Sequence, residues 1–331
     1  MTERVLVTGA AGFIGSHTVE ALLARECHVM GVDNFDDFYD QAIKRANVAE
    51  AQRHPHFTLA EADVRDGAAM RRLIDEAEPD VIVHLAARAG VRPSIEAPAL
   101  YADVNVVGTT TVLEAARASG VRRLVIASSS SVYGNSAPVP FCEDEPALQP
   151  VSPYAATKRA AELMCETYAS LYPALRIISL RFFTVYGPRQ RPDLAIHKFT
   201  RLISAGEPIP FFGDGSASRD YTYTTDILQG VLGAVDRTRT TALHHEIYNL
   251  GESATTTLSE LVSLIESAVG RSARLNRLPA QPGDVRRTCA DISRARAALG
   301  YAPTVPIREG IPLFVEWFRH TTSRPRVAAG R

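Results

Sequence analysis

The chain has 331 residues and a formal net charge of −1; 46% of its residues are hydrophobic and 22% charged. That length and composition allow one large domain or two ordinary ones around a sizeable core. The balanced charge argues against a nucleic-acid binder or a polybasic membrane-surface protein. No apolar run approaches the roughly 20 residues that span a bilayer. Cys27, Cys142, Cys165 and Cys289 form no CxxC pair and no Cys/His cluster of zinc spacing. We therefore expect reduced thiols in a cytoplasmic protein, and no metal site. The first residues run straight into Val5-Leu6-Val7 without a signal-peptide pattern.

Taken in chain order, short aliphatic runs alternate with helical periodicity. Strands are predicted at Val5–Thr8, His28–Val32, Phe57–Glu61, Val81–Leu85, Leu124–Ser128, Ile177–Phe182 and Ile247–Leu250. Helices are predicted at Ile14–Ala24, Gly67–Glu76, Val106–Ser119 and Tyr154–Leu171. Near-continuous apolar strands alternating with helices predict an α/β fold, a doubly wound parallel sheet covered on both faces. After about Phe183 the pattern breaks at Pro188, Pro192, Pro208, Pro210 and Gly213-Asp214-Gly215-Ser216. Helical stretches Leu258–Val269 and Ile307–Phe318 follow. We expect a first domain over residues 1–183, with 220–250 returning to it. A smaller mixed α/β C-terminal domain takes 184–219 and 251–323, and 324–331 form a flexible tail.

The first strand run leads into Thr8-Gly9-Ala10-Ala11-Gly12-Phe13-Ile14-Gly15, which opens a helix. Gly9 suits a tight turn, Gly12 a close approach of pyrophosphate, and Gly15 close packing of helix on strand. The helix N-terminus then offers N–H groups and a partial positive charge to phosphate. Asp33 ends the second strand run, where an acid accepts hydrogen bonds from the adenosine ribose. With no arginine immediately after it, NAD is favoured over NADP. Asp63-Val64 follows the third strand run, and Asp63 reads either as a cap for the next helix or as an adenine contact.

Tyr154 and Lys158 stand four residues apart on one predicted helix face. A tyrosine is a poor base at neutral pH, with a pKa of about 10. A neighbouring ammonium and the positive nicotinamide are expected to lower it. The fifth strand run ends in Ser128-Ser129-Ser130-Ser131-Val132-Tyr133-Gly134. Its hydroxyls would emerge at the carboxyl end of the sheet, where open α/β folds bind ligands.

The glycine triplet, Ser129 before Val132-Tyr133-Gly134, and Tyr154-xxx-Lys158 together resemble the extended short-chain dehydrogenase/reductases that epimerise, dehydrate or decarboxylate nucleotide sugars. The resemblance covers nearly the whole chain and implies a Rossmann-like fold with bound NAD. It implies Tyr154, Lys158 and Ser129 as the catalytic group. It implies cofactor contacts from Gly9, Gly12, Phe13, Ile14, Gly15, Asp33, Asn34, Asp63, Val64, Leu85, Ala86 and Ala87. Asn105 is similar to a family asparagine that supports the lysine through a water. Arg219, Tyr221 and Asp284 match positions that bind the nucleotide diphosphate, and Phe212 a residue beside the uracil. Gln281 stands where UDP-galactose 4-epimerases often carry arginine.

Dehydratases of this kind resemble Thr-Asp-Glu before Val-Tyr-Gly, and decarboxylases Thr-Ser-Glu; here the run is Ser129-Ser130-Ser131. Without that acid, elimination lacks its proton carrier, whereas an epimerase needs none. The segments Ala89–Ser94, Asp33–Arg45 and Arg181–Asp193 are similar to those of UDP-glucuronate 4-epimerases. Thr184, Ser129 and Ser130 are expected to hold the sugar carboxylate, with Arg92 or Arg191 as counter-charge; Arg191 suits the diphosphate equally. The rival expectations are a 4-epimerase of UDP-glucose or UDP-N-acetylglucosamine, and a non-catalytic NAD-binding regulator. The resemblance also implies a homodimer through the Val106–Ser119 and Tyr154–Leu171 helices.

Overall fold

The computed structural model describes residues 2–146, 148–240, 242, 244–279 and 285–322. Gln281, Asp284 and the tail 324–331 lie outside the described residues. The central sheet has seven parallel strands: β1 (Arg4–Thr8), β2 (His28–Asp33), β3 (Phe57–Glu61), β4 (Val81–His84), β5 (Arg123–Ser129), β6 (Arg176–Phe182) and, far along the chain, β11 (His245–Leu250). Their spatial order is β11-β6-β5-β4-β1-β2-β3. The aliphatic runs are buried because helices cover both faces. Val5 and Val7 point into one layer, with Leu22 of α1 (Phe13–Leu23), Val231 of α9 (Thr224–Arg237) and Ala295 of α11 (Ser293–Leu299). Leu6 points into the other, with Met70 of α3 (Gly67–Ala77), Val112 of α6 (Gly108–Ala118) and Cys165 of α7 (Pro153–Leu171). Successive strand residues thus serve opposite layers.

One predicted helix differs. Val106–Ser119 is preceded by a π turn over Asp103–Val107, and regular α6 starts only at Gly108. Such bulges insert a residue where a side chain must be aimed, often at functional sites. Asn105 lies inside this one. The short helices α2 (Gln41–Val48), α4 (Val91–Glu96) and α5 (Pro98–Ala102) carry too few turns to show apolar periodicity.

Beyond residue 183 small elements gather on a separate core. They are β7 (Thr184–Tyr186), α8 (Ala195–Ala205), β8 (Pro208–Phe212), β9 (Ser218–Arg219), β10 (Tyr221–Tyr223), β12 (Thr256–Thr257), α10 (Leu258–Val269), β13 (Arg274–Leu278) and α12 (Ile307–Thr322). Phe199, Phe211, Tyr221, Ile265 and Phe314 pack together there. The strands form three two-stranded pieces, β10 with β7, β12 with β9 and β13 with β8. Threonine and glutamate start α10 with a capping box, Thr257 and Glu260 satisfying each other's backbone N–H.

Candidate active site

A cavity of about 460 Å³ lies over the carboxyl ends of β1, β2, β4 and β5. It sits where the strand order reverses, since the chain leaves β1 for β2 on one side and comes back to β4 on the other. Its wall takes in most of the residues expected at the cofactor: the three glycines, Phe13, Ile14, Asp33, Asn34, Asp63, Val64 and Leu85 to Ala87.

Two glycines are fixed by packing. A Cβ on Gly9, whose φ is +70°, would stand 2.7 Å from the Ala86 nitrogen, and one on Gly15 would stand 1.9 Å from the Gly9 oxygen. No side chain caps α1 at Gly12 and no acid occupies its first turn. The helix N-terminus is therefore open to an anionic group. Asp33 anchors the loop, its Oδ2 accepting from Ala11 N at 3.0 Å and its Oδ1 from Phe35 N at 2.8 Å. Burial raises its pKa, and these two N–H groups and Lys44 pull the other way. Asp63 does not cap the next helix. Asp66 does, accepting from Ala69 N at 3.0 Å. Asp63 instead accepts from Asn34 and from Arg65, which holds its carboxyl down at about 2.

Tyr154 enters at the start of α7, where Pro153 fills the first turn and Ser152 is the N-cap. Its side chain is hydrogen-bonded to Ser129. Ser129 Oγ also stands 3.1 Å from Ser131 Oγ. Lys158 Nζ donates to the Ala127 carbonyl at 2.8 Å, and burial pulls its ammonium down to about 8. The expected lowering of the tyrosine by this lysine is not what the chain itself produces. Burial raises the Tyr154 pKa, and the opposing influences are the Ser129 bond and the Arg191 charge. The desolvation cost of forming a phenolate outweighs them.

Beneath this group lies an ion pair the sequence reading did not assign. Arg181 of β6, 1% exposed, donates through Nε at 2.8 Å and Nη2 at 2.9 Å to the two oxygens of Glu162 on α7. Ser128 donates to the same carboxylate at 2.6 Å. The available signals were an arginine inside the apolar run of β6 and an acid one turn after Lys158.

The cavity wall also takes in Thr184, Arg191, Arg219 and the hydroxyl run Ser129 to Ser131. Arg191 donates to Asp193 at 2.7 Å and to the Ala89 carbonyl at 3.2 Å. Among the described residues the acids on the cavity wall are Asp33 at the end of β2, Asp36 after it and Asp63 after β3; none of them stands beside Tyr154. Three expected sugar-side residues are placed elsewhere. Arg92 and Phe212 stack on each other at 4.3 Å and do not line the cavity. Tyr221 is 7% exposed and belongs to the second core, edge-on to Tyr186. Asn105 is also off the wall, its amide bonded to Arg88 and Thr157. Wall residues that sequence reasoning missed are Phe38, Tyr39, Lys44 and Arg88. Arg88 pairs with Asp36, and both Arg88 and Arg191 stand within 5.0 Å of the Phe38 ring centre.

The family profile described as GDP-mannose 4,6 dehydratase matches residues 6–313. A probable UDP-glucuronate 4-epimerase of Rhizobium meliloti is 41% identical, over 95% of this chain and 96% of its own. The crystal structure of a Bacillus cereus UDP-glucuronic acid 4-epimerase, in complex with UDP-glucuronic acid and NAD, superposes with a TM-score of 0.89. It is 34% identical, over 96% of this chain and 99% of that one. A UDP-glucose 4-epimerase of Thermotoga maritima with UDP-glucose superposes with a TM-score of 0.86 at 32% identity, covering 96% and 99%. The chain therefore belongs to the GDP-mannose 4,6 dehydratase family, within the extended short-chain dehydrogenase/reductases that act on nucleotide sugars.

Proposed function

We propose that the chain is a UDP-glucuronate 4-epimerase, an isomerase interconverting UDP-glucuronate and UDP-galacturonate. The observation that carries this is the wall beside Tyr154, which among the described residues offers Ser129, Ser130, Ser131 and Thr184 and no carboxylate. A dehydratase must remove water after oxidation and needs a proton carrier there; an epimerase does not. The 41% identical relative and the solved complex with UDP-glucuronic acid support the same substrate.

The cavity fits NAD: the open N-terminus of α1 would hold the pyrophosphate, and Asp33 the adenosine ribose. NAD, when bound, supplies the hydride acceptor and donor and a positive ring beside the phenol. Tyr154 takes the proton of the sugar 4-hydroxyl and later gives it back, with Lys158 and Ser129 holding its hydroxyl in place. Between these transfers the sugar is a 4-ketone with a carboxylate at C5. Such a β-keto acid loses CO₂ when the carboxylate bond aligns with the carbonyl. Thr184, Ser129 and Ser130 hydrogen-bond the carboxylate and keep it out of alignment. Arg191, already beside Tyr154, supplies positive charge for the carboxylate or the diphosphate, and Arg219 lies against the diphosphate.

In this reading residues 1–183 with 220–250 form the cofactor half, and 184–219 with 251–323 the sugar half. A second copy covers α6 and α7, where Val107 and Leu163 are about half exposed beside a groove lined by Arg71, Thr110 and Tyr168. The four free cysteines suit a reducing cytoplasm, and no helix among the described residues is long and apolar enough to cross a membrane. Incubation of the protein with UDP-glucuronate and NAD, followed by NMR of the sugar, tests the function. UDP-galacturonate is the expected product. Turnover of UDP-glucose but not UDP-glucuronate would replace the substrate, and no turnover of any UDP-sugar would favour the regulator.

A further inference from the structure

The backbone N–H of Tyr154 is held from outside its own helix, and its carbonyl by a residue of that helix which is itself tied to the same outside segment. At a helix start the first N–H groups lack intrahelical partners. In α7 the first position is Pro153, which has no N–H. Ser152 serves two others, its Oγ accepting from Ala155 N at 3.2 Å and its carbonyl from Ala156 N at 3.0 Å. The N–H of Tyr154 is left over, and it donates to Ser94 Oγ at 3.0 Å. Ser94 is fully buried in α4 and donates its own proton to the Val91 carbonyl at 2.5 Å. Its acceptor lone pairs are thereby turned toward Tyr154.

The carbonyl of Tyr154 is held as well. It accepts from Thr157 Oγ1 at 2.8 Å. Asn105 Nδ2 donates to that same Oγ1 at 3.0 Å, and Asn105 is fixed by both backbone groups of Arg88. The ring is braced too. Tyr101 stands edge-on to it at 6.2 Å, and the Tyr101 hydroxyl donates to the Ala89 carbonyl at 3.2 Å. Arg191 donates to that same carbonyl. Residues 88–105 thus tie the cavity wall to the backbone of the base.

We propose that Ser94 and Thr157 are positioning residues that set how far the Tyr154 phenol reaches toward Ser129 and the sugar hydroxyl. Neither lines the cavity, and both meet Tyr154 at its backbone. A phenol at the end of a side chain with two torsions follows any shift of its backbone. Misplacement by about 1 Å costs on the order of a hundredfold in rate. The inference rests on Tyr154 acting as the base.

The test uses NAD-loaded protein, UDP-glucuronate and the variants Ser94→Ala and Thr157→Val. Each is expected to lower kcat by roughly tenfold to a hundredfold, with KM close to that of the unaltered chain and a lowered melting temperature, since each leaves a buried N–H without its acceptor. The acid limb of the kcat–pH profile should move to higher pH, because the displaced hydroxyl leaves Ser129 and Arg191, the two influences that lower its pKa. Thr157→Ser keeps the hydroxyl and should restore both kcat and the limb. A lowered melting temperature with kcat and the limb unmoved makes the two residues merely structural and overturns the proposal, as does an unchanged kcat in both variants. If Ser94→Ala does not fold, the Thr157→Val and Thr157→Ser pair decides alone. Tyr154→Phe in the same assay separates the layers: activity there removes the base itself, whereas inactivity there beside normal Ser94→Ala and Thr157→Val removes only the positioning.

Discussion

The sheet and the small core after residue 183 were built under different rules, and the cavity between them inherits both. In the sheet each strand is an apolar run long enough to announce itself, and the cofactor-side residues sit at strand ends, at fixed offsets from those runs. In the small core the strands are two to five residues long and pair in twos. There a residue reaches the cavity only if distant loops carry it there. Thr184 and Arg219 arrive through the β10–β7 and β12–β9 pairs. Phe212, on β8, is turned aside onto Arg92. Local pattern places a residue on an element; only the packing of elements decides which face of the cavity it meets.

The largest effect that tests this contrast is Tyr154→Phe. Removing the proton carrier should lower kcat by about 10²- to 10⁴-fold, measured by NMR turnover of UDP-glucuronate; an active variant would deny the sheet side its chemistry. Next comes Glu162→Ala, which strands the buried Arg181 guanidinium. A loss of about 3–5 kcal/mol in urea unfolding is expected, and a smaller cost than about 1 kcal/mol would mean that the pair behaves as an exposed one. Thr184→Ala tests the sugar side. Turnover should fall modestly while released CO₂ rises as a share of product; an unchanged product distribution removes the carboxylate-holding role.

The sheet side carries one clear source of acid sensitivity. Burial, with the charge of Lys158, holds His84 down at about 3, well below its ordinary 6.5. Between those values the unfolded chain binds a proton that the folded chain does not, so stability falls as pH drops from 6.5 toward 3. His84→Gln should make that limb shallower in melting curves taken across the range, with the buried His197 and His245, each held down at about 4, supplying what slope remains. The smallest expected effect is that of Tyr221→Phe. Because Tyr221 packs in the second core rather than on the cavity wall, kcat and KM should stay near those of the unaltered chain. A large rise in KM would return it to the diphosphate site.

These outcomes bear on how much the sequence itself contained. The seven sheet strands were legible to within two residues because the inner ones are buried on both faces, which leaves little room for polar interruption, and the edge strand β3 keeps a short run bounded by turns. The glycine loop, Asp33, Tyr154 and Lys158 were legible because their spacing is set by one turn or one helix. Arg88, Lys44 and Phe38 were not, since they line the cavity only through the loop after β2 folding back onto the loop after β4. Arg191 was legible as a charge but not in its task, because its partners Asp193 and Ala89 come from two different loops. Asn105 stood just before the helix expected at Val106–Ser119; the π turn that holds it, its amide bonded to Arg88 and Thr157, leaves no mark in the apolar periodicity.

The last strand of the sheet has a practical consequence. Residues His245–Leu250 of β11 pair with Ile177–Phe182 of β6 only after the chain has traversed the 184–223 elements. A fragment ending near residue 183 would keep the whole glycine loop and the Tyr154–Lys158 pair, yet leave β6 with six residues of unsatisfied edge. An uncovered apolar edge recruits strands from other molecules. Such a fragment is expected to aggregate rather than survive as a small cofactor-binding module, so shortening the protein calls for excising the middle and rejoining β6 to α9 and β11.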